Sequence, residues 1–111
     1  MFNLGEWIKR IVNSIRGFII WLKVGYPFLL LCVVLLTVAI WRSDNWLHIW
    51  VLMTLSCVFL VVEMLNYAIE RVCNMISLEY SEEIKIVKDI CAGAVLVSVS
   101  ALITVSLWVI I

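Results

Sequence analysis

Glu63, Asn66, Glu70 and Asn74 stand in the stretch VVEMLNYAIERVCN, residues 61–74, where a run of apolar residues ends. At 100° per residue on a helix they fall at about 0°, 300°, 340° and 20°, one narrow stripe over three turns. Ionisable groups at membrane depth are costly and face a bundle interior or a water-filled cavity. Hydrogen bonding between helices accounts for one amide in such a place. Two carboxylates on one face repel each other unless a cation lies between them, so the stripe reads either as interhelical hydrogen bonding or as a cation or proton site. Further on, Lys88 and Asp89 stand where another apolar run begins, followed by the small residues Ala92, Gly93 and Ala94. A lysine there neutralises phosphate oxygens, and carboxylates hold Mg²⁺ with few protein ligands when a nucleotide supplies the rest. A carboxylate for metal, a lysine for phosphate and a carboxylate to take a hydroxyl proton are the parts that phosphoryl transfer needs. No Walker A sequence, Gly-rich phosphate loop or Rossmann fingerprint occurs, so a nucleotide site here is of another kind.

The elements that position these residues are membrane helices. Of 111 residues, 66% are hydrophobic and the mean hydropathy is +1.17, far above a soluble domain. The reading is an all-α membrane protein, one membrane domain over residues 1–111, with an N-terminal amphipathic surface helix and three transmembrane helices. The surface helix covers 6–23: Trp7, Ile8, Ile11, Ile15, Phe18, Ile19 and Leu22 recur at helical spacing, interrupted by Lys9, Arg10, Asn13, Arg16 and Lys23. Gly25-Tyr26-Pro27 is expected to turn the chain into the bilayer. The membrane helices are expected at about 26–41, 46–74 and 88–111, the second extending beyond the bilayer, since about 20 residues cross it. No small-residue cleavage pattern follows the first apolar stretch, and the N-terminus is read as retained. Eight basic and eight acidic residues cancel, which points to no nucleic-acid partner. Cys32, Cys57, Cys73 and Cys91 show no metal spacing, and three of them lie in or beside apolar runs, where cysteine behaves as a small apolar residue. His48, between Trp46 and Trp50, reads as an interfacial polar residue.

At Glu63-Met-Leu-Asn66-Tyr-Ala68-Ile69-Glu70 and Lys88-Asp89-Ile-Cys-Ala-Gly-Ala the chain resembles the small bacterial integral-membrane lipid kinases, the diacylglycerol and undecaprenol kinase family. Asn74 stands where that family has Asp, and Glu79-Tyr80 occupies its connecting-loop position. The match is strongest over 62–97. The resemblance implies ATP-dependent phosphorylation of a membrane lipid alcohol, with Glu63 as general base and Glu70 as Mg²⁺ ligand. It implies that Asn66 and Asn74 organise the site and that Glu70, Glu79, Tyr80, Lys88 and Asp89 hold ATP. A homotrimer in the bacterial inner membrane is implied too. One stretch departs: Gly25 and Leu29 stand about where the family has a Glu that shares the metal and an Arg. The competing expectation is therefore a family member without catalysis, serving as a structural or interaction subunit. A channel or transporter is disfavoured because, His48 apart, no ionisable group occurs from Trp46 to Val62.

Seven of the eight basic residues precede the first span or lie between the second and third, and only Arg42 lies in the turn at 42–45. The positive-inside rule then puts the N-terminus and the 71–89 region in the cytoplasm. A cysteine introduced at Ser81, with the four native cysteines replaced, is expected to react with a membrane-impermeant thiol reagent only once cells are opened. Labelling from outside intact cells would reverse the orientation.

Overall fold

The computed structural model describes residues 3–76, 79 and 81–111. Three α-helices account for nearly all of them, α1 (Leu4–Arg42), α2 (Trp46–Ile76) and α3 (Glu82–Ile110), with no strand among the described residues. Each is long and apolar enough to cross a membrane.

The expected surface helix at 6–23 and first span at 26–41 are one continuous helix. Gly25 does not use its freedom to turn the chain, since no described glycine has a positive φ, and Pro27 lies inside α1. Proline removes one donor, a loss that membrane helices tolerate because nearby groups re-satisfy the freed carbonyl. At 1.5 Å per residue, 39 residues measure about 58 Å, roughly twice the hydrocarbon core. Only part of α1 can therefore span. Its described residues up to Ile20 are all exposed, and burial begins at Trp21 and continues at Gly25, Cys32 and Ala39. The helices measure 49 × 43 × 26 Å together, too wide for three rods set side by side about 8–10 Å apart. The residues of α1 before Trp21 lie outside the bundle core, consistent with the amphipathic pattern that suits the bilayer surface.

The α3 helix begins at Glu82 rather than near 88. Ser81 takes extended N-cap geometry, and Glu82 and Glu83 occupy the first turn, where carboxylates suit the positive end of the helix dipole. At the other end of the bundle, Asn45 Oδ1 accepts from the Leu47 amide at 2.9 Å and so caps α2. His48 stacks on Trp108 with ring centroids 4.2 Å apart.

The helices meet along seams of three- and four-residue spacing, alternating on α2 as in knobs-into-holes packing. On α2 the buried residues are Ile49, Leu52, Ser56, Phe59 and Glu63. On α3 they are Ser98, Leu102, Ser106 and Val109. Lipid is as apolar as these side chains, so association rests on close packing, which small seam residues such as Ala39 and the serines permit. The seam hydroxyls of α3 cost little, because Ser98 donates to the Val95 carbonyl at 2.9 Å and Ser106 to Leu102 at 2.6 Å. Ala39 is fully buried in this core. Ala39→Leu is expected to overfill it and destabilise the fold by about 1–3 kcal/mol, measured by unfolding in mixed detergent micelles. A neutral result would show that the α1 seam is loosely packed.

Candidate functional site

Glu63 lies on the same seam as Ser56 and Phe59 and is 6% exposed. The 3-4 spacing that buries four turns of α2 simply continues into it. Among the described residues no donor or cation pairs with its carboxylate. A carboxylate on a buried residue, with no partner and only a little accessible surface left to its oxygens, is expensive, which argues for a role other than packing. From Trp46 to Glu63 the rise is about 26 Å, so the carboxylate sits at the far edge of a ~30 Å hydrocarbon core.

Beyond it the stripe opens. Asn66 is half-buried, whereas Glu70 and Asn74 are exposed. The four groups form a gradient from nearly covered to accessible along one helix face. At its open end, the Lys88 ammonium on α3 donates to Asn74 Oδ1 at 3.1 Å. Lys88 shares a seam with Leu102, two heptads on, and its long side chain carries the charge away from the apolar zone. The two sequence motifs, 14 residues apart, are thus joined through a neutral amide.

Asp89 is not brought to this junction. One residue on from Lys88, it is rotated by about 100° and pairs with Lys85 at 2.7 Å, both side chains well exposed. Glu79 is exposed between α2 and α3, and Tyr80 lies outside the described residues. Sequence reasoning missed the contribution of Trp21, whose indole lies over Gly25. The i, i+4 spacing of a tryptophan and a glycine was the available signal. The α1 helix brings no carboxylate here, and Gly25→Glu would drive its own Cβ into that ring. A mostly apolar groove of ≈ 460 Å³ runs between α1 and α2, lined among others by Phe18, Trp21, Met64, Tyr67 and Arg71. Arg71 lies over the Tyr67 ring at 5.7 Å.

Among the described residues no three His, Cys, Asp or Glu side chains converge as a metal site. Glu70 nevertheless presents hard oxygen donors on an open helix face, and that chemistry fits Mg²⁺, which one or two carboxylates hold together with substrate phosphates.

Three membrane-crossing helices with a buried carboxylate and a lysine-capped polar stripe at one end define an integral membrane protein with an interfacial polar site. The chain belongs to the prokaryotic diacylglycerol kinase family, whose model matches residues 13–111, and it is therefore a multi-pass member of a lipid-kinase family. No curated protein and no solved structure matches it.

The Asn74–Lys88 bond links α2 to α3 at an exposed position, where such bonds contribute little. A double-mutant cycle with Asn74→Ala and Lys88→Ala is expected to return about 0.5 kcal/mol of coupling in unfolding experiments. A coupling above about 2 kcal/mol would mark the pair as structural.

Proposed function

We propose that the protein transfers the γ-phosphoryl group of ATP to the hydroxyl of a membrane lipid alcohol, diacylglycerol or undecaprenol. The observation that carries this reading is the buried, unpartnered Glu63 carboxylate at one end of a stripe that finishes on Lys88. The lipid hydroxyl approaches Glu63 at the membrane edge while the acyl or prenyl chain remains in the apolar zone, with the α1–α2 groove alongside. Glu63 takes the hydroxyl proton as the oxygen attacks phosphorus, and the burial of its side chain limits the water that competes for it. Asn66, half-buried one turn away, orients the reacting groups. Lys88, held by Asn74, places a positive charge beside the transferring phosphoryl oxygens, where charge is spread in the transition state. Glu70, with Asn74 near it, would hold Mg²⁺, which when bound neutralises the β- and γ-phosphate oxygens. Glu79, Tyr80 and Asp89 contribute to holding ATP. The N-terminus and the stripe face the cytoplasm, where ATP is available, and three copies of the chain assemble around sites that more than one copy completes.

The non-catalytic alternative draws on one observation, the indole in place of an α1 carboxylate. Two substitutions separate the readings. Glu63→Gln keeps the shape and loses the proton acceptor, so transfer from labelled ATP to diacylglycerol or undecaprenol in detergent is expected to fall by roughly 10²–10⁴ with ATP affinity retained. Glu70→Gln is expected to raise the Mg²⁺ concentration needed for half-maximal rate. Wild-type protein that phosphorylates neither lipid at any Mg²⁺ concentration would favour the non-catalytic subunit.

A further inference from the structure

Opposite Glu63, α1 presents a fitted aromatic surface instead of a charge. Phe28 meets Phe59 edge-on, with ring centroids 5.8 Å apart and planes at 77°, and Cys32 lies beside Ser56. The two pairings set the antiparallel register of α1 and α2. Gly25 is three residues before Phe28, and Glu63 is four after Phe59, so the two positions are level to within about 1.5 Å. Trp21 lays its indole across Gly25: a Cβ at position 25 would stand 2.8 Å from the indole Nε1 and overlap the six-membered ring. Only a residue without a side chain admits the ring there. Phe18 braces the indole at 5.9 Å, and the same groove wall includes Met64, Tyr67 and Ala68 of α2. Trp21, Gly25 and Glu63 are all buried.

We propose that Trp21, seated on Gly25, is a positioning residue that closes the α1 side of the Glu63 site to water and so directs the phosphoryl group to the lipid hydroxyl. The proposal rests on the lipid-kinase reading. A carboxylate able to deprotonate a lipid alcohol can also deprotonate water. In that side reaction the water oxygen bonds to the γ-phosphorus, and the bond from phosphorus to the β–γ bridging oxygen breaks with its electron pair leaving on ADP. The water proton passes to Glu63, and the products are ADP and inorganic phosphate. An apolar ring at the level of the carboxylate leaves less room for the water from which that path starts.

Two opposite changes at two positions should have one effect. Trp21→Ala removes the ring, and Gly25→Ala displaces it with a methyl group while favouring the helix. In purified full-length protein in detergent with Mg²⁺, ATP and diacylglycerol or undecaprenol, each is expected to raise ADP formed per lipid phosphate severalfold. The double variant should match Trp21→Ala alone, because both act through the same ring. An unchanged ratio in both single variants, or a double variant that sums them, overturns the proposal. A second readout needs no turnover. Water-soluble carbodiimide with glycine ethyl ester, followed by peptide mass spectrometry, should modify Glu63 weakly in the wild type and severalfold more in either variant. Equal modification in all three overturns the seal. Increased modification in the variants, with no lipid phosphorylation by the wild type, would support the seal and discard the kinase reading and the choice of acceptor with it.

Discussion

A helix seam keeps its direction when its residues change character, and the arrangement of this protein depends on that constraint. On α2, Ile49, Leu52, Ser56 and Phe59 must face α1 and α3 to pack the bundle. Glu63 is the next step of the same three-four series, so it is buried by the geometry that buries Phe59. Asn66, Glu70 and Cys73 continue the series. The carboxylate needs no loop or special backbone to reach its place. The apolar seam aims it, and the length of α2 sets its depth at the edge of the hydrocarbon core.

The same logic applies across the interface. The α3 seam carries Lys88 in line with Ser98 and Leu102, which is why the ammonium meets Asn74 while Asp89, one residue on, turns outward to Lys85. Register along α1 is set by Phe28 on Phe59, and it puts Gly25 and its covering indole at the level of Glu63. One helix therefore supplies shape at the site and two supply charge.

The periodicity of polar residues made the α2 stripe legible from sequence, because residues at i, i+3, i+7 and i+11 share a face whatever surrounds them. The membrane class followed from composition, and the Lys88-Asp89 pair from its place at the start of an apolar run. The beginning of α1 was not legible in the same way. Gly25-Tyr26-Pro27 is turn chemistry in water, but in a membrane helix the continuous hydrogen-bond ladder prevails over one missing donor. Hydropathy alone sets the start of α3 too late because the apolar run begins after the helix does; Ser81 and the following glutamates mark the true boundary. Trp21 does not stand out in the sequence, since its distinguishing contact depends on what position 25 lacks.

The charge balance of the site follows from two neutral positions. Relative to the pattern the sequence resembles, Gly25 and Asn74 each stand in place of a carboxylate. An aspartate at 74 would pair with the Lys88 ammonium and consume its charge; the amide oxygen holds the ammonium at 3.1 Å and leaves that charge undiminished. At 25 the indole occupies the space in which a carboxylate would lie. Both changes remove negative charge near the place proposed for the phosphates, which weakens the hold on a divalent cation and strengthens attraction for the phosphate oxygens themselves. In the proposed reaction the nucleotide is then held more through Lys88 and less through metal bridged to protein. Glu63 is left as the one buried carboxylate of the described chain, free of a competing negative neighbour on α1.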